Sequence, residues 1–228
     1  FDQQNLTAAK AEVIKTEQLP EAADDQLESD GYQKKGEQLL QQFKVAKLPV
    51  TLNASLIGNS PLTKIGLAAV KNLTQTKLAI LNGGLFLGAL HEGIITKNDL
   101  QRILPHPMRI VRVRLNGYNL WRLIREMEKN RNHLRSAFVK GNGFRGKIFG
   151  ELVYDGIQYD PLTKEVLING QPIDLGSEYE LGTVDNFIYC PYCPTLEIAG
   201  HASYWGDRFL RDIVGDYLAT KYPLEKEE

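Results

Sequence analysis

Two cysteines close together carry the most reactive side chains of the sequence. Cys190 and Cys193 are separated by Pro191 and Tyr192, and the chain has no other cysteine. A dithiol with this spacing at a helix N-terminus can cycle between thiol and disulfide with a lowered pKa. Only 35 residues follow the pair, and Pro194 disfavours a helix that begins on Cys190. A structural loop is therefore favoured over a redox site.

A glycine-rich turn is the better candidate for ligand binding. Asn82, Gly83 and Gly84 directly follow the apolar run 77–81, which predicts a short buried strand. Glycines let backbone N–H groups approach a ligand closely, and an asparagine amide both donates and accepts hydrogen bonds. A plain strand-ending turn is the alternative interpretation, because Asn-Gly turns are common.

Several well-known chemical motifs are missing. The sequence has no Gly-x-x-x-x-Gly-Lys-Ser/Thr loop, no Gly-x-Gly-x-x-Gly after a strand and no His-Glu-x-x-His. The four histidines stand singly, without metal-ligand spacing: His91, His106, His133 and His201. We therefore expect no metal site in this chain.

Size and charge exclude further classes. A length of 228 residues suits one large domain or one domain with an appendage. The 27 basic and 28 acidic residues give a net charge of −1, which argues against a nucleic-acid partner. No apolar run approaches the ~18 residues that a membrane span needs, so no membrane partner is expected.

The N-terminus suggests that the sequence is part of a longer protein. Residues 1–4 show neither a charged segment nor an apolar core of a signal peptide, and there is no initiator Met. We interpret the chain as processed or excised. Two cysteines are too few for a disulfide framework and indicate a reduced, cytoplasmic chain, although a signal peptide could lie on the missing part.

The first 46 residues differ from the rest in composition. They are rich in Gln, Glu, Lys and Asp, and their apolar stripe is thin. This pattern predicts one or two mostly exposed helices, broken near Pro20 and Gly31. We expect residues 1–46 to form a helical connector between domains.

Residues 47–228 have the composition of a folded domain, with elements in irregular order. Helices are predicted after Ser60-Pro61, from Thr96 to before Pro105, over 117–130 and around 209–218. Strands are predicted at 77–81, 109–115, 151–158 and 179–183, with a hairpin turning at Asn169-Gly170. This mixture predicts an α+β (mixed α/β) fold.

The order of short motifs along residues 50–220 resembles the C-terminal domain of the 5′-nucleotidase / UDP-sugar hydrolase family. The motifs that carry the resemblance are Gly58-Asn59-Ser60-Pro61-Leu62, Asn82-Gly83-Gly84, Gly93 to Thr96, Asp99-Leu100, Leu104-Pro105, residues 113–117, residues 150–155, residues 179–183 and Asn186-Phe187. Leu104 to Pro107 and Gly143 to Lys147 look like a bacterial branch of that family. The resemblance implies a fold of layered helices and mixed sheets.

The resemblance also implies a division of labour between two domains. In the family, a separate N-terminal metallophosphoesterase domain holds two divalent metal ions that activate water and clamp the phosphate. The C-terminal domain binds a nucleotide or nucleotide sugar and rotates to deliver its phosphate. The metal-binding motifs do not occur here. We therefore expect this fragment to be the substrate-recognition half of a phosphoric-ester hydrolase, inactive alone, with the metal domain as its partner.

Candidate binding residues follow from the same resemblance. Asn82 corresponds to a nucleoside contact, with Gly83 and Gly84 as backbone partners. Phe187, next to Asn186, corresponds to one of two aromatic rings that enclose the base, and His106 stands where the second ring is expected.

The sequence departs from the family at other contacts. Leu87 replaces a substrate-binding arginine, and Asn53 stands where a basic residue is expected. Arg145 and Lys147, on a Gly-rich loop, could supply phosphate donors instead; a solvated basic loop is the alternative. A non-catalytic module that keeps the fold but has lost nucleotide recognition also remains open, as does a thiol redox protein.

Overall fold

A long helix accounts for most of the first part of the chain. The computed structural model describes residues 10–15, 23–138 and 148–225, and the chain divides into two units, residues 1–39 and 40–228. Helix α1 (Ala23–Gln41) passes through Gly31 without interruption, so the predicted break there is wrong. An i,i+4 hydrogen bond from Gln33 to Glu37 (3.0 Å) supports the helix, which tolerates its two glycines, Gly31 and Gly36, at a cost of about 1 kcal/mol each. Pro20 lies outside the described residues.

The boundary after residue 46 stays a prediction. The division into units falls between Leu39 and Leu40. The first strand of the second unit already begins at Lys44.

The second unit contains short strands and helices in mixed order. Its strands are β1 (Lys44–Leu48), β2 (Leu78–Asn82), β3 (Gly93–Thr96), β4 (Arg109–Asn116), β5 (Leu152–Asp155), β6 (Ile157–Tyr159), β7 (Val166–Ile168), β8 (Gln171–Pro172), β9 (Glu178–Val184) and β10 (His201–Phe209). Its helices are α2 (Pro61–Thr74), α3 (Lys97–Ile103), α4 (Gly117–Leu134), α5 (Thr195–Ala199) and α6 (Leu210–Lys221). The predicted α+β class is confirmed.

A five-stranded sheet forms the centre of this unit. Its strand order is β10-β4-β9-β2-β5, in which β2 and β9 are parallel and the other neighbours antiparallel. Every residue of β2 is buried, which requires cover on both faces of the strand. Helix α2 packs on β2, and helix α4 contacts β4, β5 and β9. The strand pair β1-β3 and the three-stranded sheet β6-β7-β8 are separate from it.

Local capping signals place the helix starts where the sequence predicts them. The Ser60 side chain accepts from the Thr63 N–H (3.1 Å), and Pro61 occupies the first helical position of α2. Thr96 and Asp99 form a reciprocal capping box at α3. These helix predictions are confirmed.

The strand predictions are confirmed with one correction. Residues 151–158 do not form a single strand, because Gly156 (φ 80°) separates β5 from β6. A Cβ at Gly156 would lie 2.3 Å from the Lys77 carbonyl oxygen, so only glycine fits this corner. The hairpin turns at Asn169 (φ 49°) and Gly170 (φ 81°), as a type I′ turn requires.

Candidate ligand-binding site

Four strand ends meet at one edge of the five-stranded sheet. Because β2 and β9 are parallel, their last residues, Asn82 and Val184, lie at the same edge of the sheet. Strands β4 and β5 run antiparallel to them and begin there. In open sheets, the loops beyond the carboxyl ends of parallel strands commonly form the ligand site. We refer to this region as the loop edge.

Most of the predicted binding residues lie at the loop edge. They end or follow β2, precede β4 or follow β9: Asn82, Gly83, Gly84, His106, Asn186 and Phe187. Arg145 and Lys147 lie outside the described residues, so their role stays a prediction. The strands β2 and β9, which both end at this edge, pair with each other although their paired residues are more than 100 positions apart in sequence.

The hydrogen-bond donors of the turn after β2 are already used inside the protein. Asn82 is fully buried; its Nδ2 donates to the carbonyl oxygen of Phe149, and its Oδ1 has no hydrogen-bond partner within the described part of the chain. The Gly83 N–H donates to the Glu151 carbonyl (2.9 Å) and the Gly84 N–H to the Phe149 carbonyl (3.0 Å). These donors cannot serve a ligand in this conformation, and direct ligand contact by the three residues stays a prediction.

Close backbone packing is the physical reason for the two glycines. A Cβ at Gly83 would lie 2.4 Å from the Ser55 carbonyl oxygen. A Cβ at Gly84 would lie 2.3 Å from the carbonyl oxygens of Ile148 and Phe149. The turn therefore fixes the segment 148–151 against the end of β2.

Phe149 connects this turn to a cluster of aromatic rings. Its ring stacks on Phe187, with centroids 6.2 Å apart and planes at 23°. The Tyr192 ring meets Phe149 edge-on at 5.4 Å, and His133 lies 5.7 Å from Tyr192. Such offset-stacked and edge-to-face pairs stabilise by about 0.5–1.5 kcal/mol each beyond area burial.

A cavity of about 610 Å³ opens beside this cluster. We call it the aromatic pocket; its lining residues are His133, Ser136, Ala137, Phe138, Phe149, Pro191 and Tyr192. Phe187 is buried behind Phe149, with 3% of its surface exposed. The lining therefore combines aromatic rings with three residues that carry polar side-chain groups, His133, Ser136 and Tyr192.

The two remaining predicted residues take different positions at the loop edge. His106 is buried, in the segment before β4. Asn186 is exposed, and its N–H donates to Asp185 Oδ1 (2.9 Å). The ring that stacks on Phe187 is Phe149; enclosure of a base between Phe187 and His106 stays a prediction.

A buried carboxylate ties helix α4 to the same edge. Glu151, 1% exposed in its side chain, binds Arg131 Nη1 (2.7 Å), Arg135 Nε and the Gly58 N–H (2.9 Å). Burial alone would raise the pKa of Glu151. The hydrogen bonds from Arg135 and Gly58, and the charges of Arg131 and Arg135, outweigh burial and lower that pKa. The network fixes the helix end that presents His133 and Ser136.

A second cavity, of about 410 Å³, lies between the loops 53–56 and 84–89. We call it the neutral cavity. Asn53 and Leu87, two of the departures from the family pattern, both line it, and none of its lining residues is charged. The fold therefore brings these two substitutions to one place.

Sequence reasoning missed Phe149, Tyr192 and His133 as pocket residues. Phe149 precedes Gly150, whose positive φ of 76° lies just before β5. This Phe-Gly pair before a predicted strand was the sequence signal that could have indicated Phe149. Tyr192 lies inside the cysteine motif, whose chemical signal came from the thiols alone. His133 could not have been found, because only the fold brings the end of α4 to this loop.

No three His, Cys, Asp or Glu side chains among residues 10–15, 23–138 and 148–225 converge closely enough to hold a metal ion. The described residues of this chain therefore do not fit a metal centre, and no chemical step through a metal is assigned to them. Within the same ranges, no helix is long and apolar enough to cross a bilayer.

The fold defines the chain as an α+β domain built around a five-stranded mixed sheet, and comparisons with known proteins name its family. The family model described as "5'-nucleotidase, C-terminal domain" matches residues 42–189. The chain is 31% identical over 183 residues to the uncharacterized metallophosphoesterase YunD of Bacillus subtilis (strain 168), covering 77% of this chain and 39% of that protein. The chain belongs to the family of 5′-nucleotidase C-terminal domains, which confirms the resemblance drawn from the motifs.

Solved structures agree on the fold. The 5′-nucleotidase precursor of Thermus thermophilus superposes with a TM-score of 0.69 at 17% identity, over 87% of this chain and 41% of that one. A Thermus thermophilus sulfate thiohydrolase, SoxB, gives 0.59 at 15%, over 91% of this chain and 38% of that one. The chain thus spans about two fifths of the length of these relatives, and enzymes named for different substrates share its fold.

Proposed function

We propose that this chain is the substrate-recognition domain of a metal-dependent phosphohydrolase of the 5′-nucleotidase type. It binds the base of a nucleotide or nucleotide sugar and presents the phosphate to a metallophosphoesterase domain of the same protein. The two divalent metal ions belong to that other domain, and hydrolysis takes place there. This chain contributes binding and orientation.

The aromatic pocket is the observation that carries the proposal. Its volume of about 610 Å³ lies within the ~300–1,000 Å³ typical of small-molecule sites. The rings of Phe149 and Tyr192 meet edge to face, with centroids 5.4 Å apart. A planar base gains about 1–3 kcal/mol by stacking on one such ring. His133 and Ser136 supply hydrogen bonds that could orient the base edge.

Phosphate binding has to come from outside the pocket lining. None of the lining residues is a lysine or arginine. Arg145 and Lys147 remain the candidates, because their loop joins Phe138 to Ile148 and both ends of that loop are described next to the pocket. A guanidinium fork matches phosphate geometry.

An NMR titration of this chain with AMP and UMP into the millimolar range tests the proposal. We expect shifts clustered at His133, Phe149 and Tyr192, with weak affinity because half of the site is absent. Replacing Tyr192 with Leu should weaken binding about 5- to 100-fold, as the loss of one stacking partner predicts.

A matched control is available in the same loop. Tyr189 is 73% exposed and does not line the pocket, so Tyr189→Leu should leave the affinity unchanged. Shifts clustered elsewhere, or equal effects of the two substitutions, would contradict the aromatic pocket as the base site.

A second candidate function rests on the neutral cavity. Asn53 and Leu87 leave it without a charged group among its described lining, which favours a non-catalytic binding module that keeps the fold and no longer recognises nucleotides. Hydrolysis of AMP by the full-length protein with Mn²⁺ or Mg²⁺ separates the two candidates. AMP turnover that decreases in the Tyr192→Leu variant supports the substrate-recognition domain. The absence of both turnover and AMP binding supports the non-catalytic module.

A further inference from the structure

The segment between Cys190 and Cys193 forms a tight turn. The Cys193 N–H donates to the Cys190 carbonyl at 3.0 Å, the hydrogen bond that closes a four-residue β-turn. The Cα atoms of the first and last residues of such a turn lie within about 7 Å. Disulfides span Cα separations of about 4.4–6.8 Å. The side chains of Cys190 and Cys193 also lie close enough for each to shift the pKa of the other.

The same turn is bonded to the residues of the aromatic pocket. The carbonyl oxygen of Phe187 accepts from the Cys190 N–H (3.1 Å) and from the Cys193 thiol (3.9 Å). Pro191 and Tyr192, between the two cysteines, line the pocket. A change in the covalent state of the sulfurs therefore acts on Phe187 from one side and on Tyr192 from the other.

Helix α4 holds the turn at Tyr192 and the chain just beyond Cys193. Asn130 Nδ2 donates to the Tyr192 carbonyl at 3.1 Å. Beyond Cys193, Glu126 accepts from the Thr195 N–H (3.0 Å) and hydroxyl (2.6 Å). Because the two Glu126 contacts fix the start of α5, a contraction of the turn has to be absorbed by residues 187–192, which carry the rings of Phe187 and Tyr192, against the hydrogen bond from Asn130.

We propose that Cys190 and Cys193 are a reversible dithiol–disulfide couple that controls the shape of the aromatic pocket. In the dithiol state the Cys193 thiol bonds the Phe187 carbonyl and the pocket has the form described above. In the disulfide state that donor is lost and Tyr192 is displaced. The effect on ligand affinity, though not the redox step itself, rests on the proposed function.

The reaction needs a small disulfide, such as glutathione disulfide, as oxidant. The Cys190 thiolate attacks one of its sulfurs and releases one thiolate, which leaves a mixed disulfide on Cys190. Cys193 then gives up its proton to solvent and attacks the Cys190 sulfur, which displaces the second thiolate. The two cysteines lose two electrons and two protons, and the small disulfide becomes two thiols.

The surroundings assign Cys190 as the attacking thiol. It is 6% exposed, next to the exposed Tyr189, whereas Cys193 is 1% exposed. The interaction with the Cys193 side chain outweighs burial and lowers the pKa of Cys190, while the interaction with Cys190 and burial raise the pKa of Cys193. Cys193, which is the more buried of the two, is therefore the resolving thiol that attacks the mixed disulfide on Cys190.

A redox titration of the whole chain in glutathione buffers tests the coupling. We expect mass spectrometry to show one intramolecular disulfide that forms and reverses in a single transition. The NMR ring signals of Phe149, Phe187 and Tyr192 should shift with the same midpoint. Mixed disulfides without a Cys190–Cys193 bond, or a disulfide that leaves these ring signals unmoved, would overturn the proposal.

Variants and ligand separate the remaining outcomes. Cys190→Ala and Cys193→Ala should abolish the transition, and a folded variant of either kind is sufficient. AMP should bind the dithiol form at least fivefold more tightly than the disulfide form. Equal AMP affinity in both states would overturn the control of binding. If AMP binds neither state while the ring signals still follow the redox buffer, the proposed function fails and the redox couple stands.

Discussion

The ring of Phe149 stacks on the ring of Phe187, with centroids 6.2 Å apart and planes at 23°. Phe149 precedes β5 and Phe187 follows β9, and β2 lies between these two strands in the sheet. The ring contact therefore joins two segments of the loop edge whose strands are not neighbours. Phe149 also accepts hydrogen bonds from Asn82 and Gly84 through its carbonyl. One residue therefore joins the turn after β2 to the wall of the aromatic pocket.

Shortening Phe187 should destabilise the protein. Phe187→Ala removes a ring that is 3% exposed, and such a change in a core costs about 3–5 kcal/mol. Urea denaturation followed by circular dichroism measures the loss. Tyr189→Ala, at a 73% exposed neighbour, should change the free energy of unfolding by less than about 0.5 kcal/mol. Similar losses for both would show that Phe187 is not part of the core.

Removing the charge of Glu151 should break its ion pairs with Arg131 and Arg135, although Arg131 keeps its pair with Glu128. Breaking a buried ion pair costs about 3–5 kcal/mol. Since the side chains of Arg131 and Arg135 are 30% and 44% exposed, we expect about 2 kcal/mol for Glu151→Gln after allowing for solvent screening. The matched control is Glu178→Gln, whose 3.8 Å pair with Arg114 is exposed on both sides and should contribute at most about 1 kcal/mol. The measurement is the free energy of unfolding of each variant. Equal losses for Glu151→Gln and Glu178→Gln would contradict a special contribution of Glu151.

The same carboxylate should make stability depend on acidity. The folded-state pKa of Glu151 lies below its ordinary value of 4.5, so its contribution is complete above that pH and is lost as the pH falls through the folded pKa. Unfolding free energies measured from pH 6 downwards should therefore decline below about pH 4.5, and less steeply in Glu151→Gln. Identical slopes for the two proteins would exclude Glu151 as a source of the acid sensitivity.

A methyl group at Gly84 should displace the segment that carries Phe149. The added Cβ would meet two carbonyl oxygens at 2.3 Å, and overpacking of this kind costs about 1–3 kcal/mol or more. Gly84→Ala should lower the thermal midpoint and alter the NMR signals of the Phe149 ring. At Gly88 the nearest atom would be Ile103 Cγ2 at 3.8 Å, so Gly88→Ala should be tolerated. A normal Phe149 signal in Gly84→Ala would contradict the close packing.

Local chemistry predicted the elements well wherever a strong signal lay within a few residues. Ser60-Pro61, the Thr96–Asp99 capping box and the Asn169-Gly170 turn act through neighbours in sequence, and each is found as predicted. Strand β10 was missed because its residues are mostly exposed and show no apolar alternation. It is a strand because it pairs with β4, and a pairing partner about 90 positions away leaves no local trace.

The candidate site shows the same difference between what local sequence signals predict and what long-range packing decides. The sequence alone determined the family, the α+β class and the segments that gather at the loop edge, since these depend on motif order and on apolar periodicity. Only the tertiary structure decided what each side chain does there: Asn82 and the two glycines bond the backbone of 149–151, and Phe149 stacks on Phe187. The cysteine turn likewise bonds the pocket wall. Such contacts depend on packing between distant segments, and burial fixes them only once the sheet has brought its strand ends together.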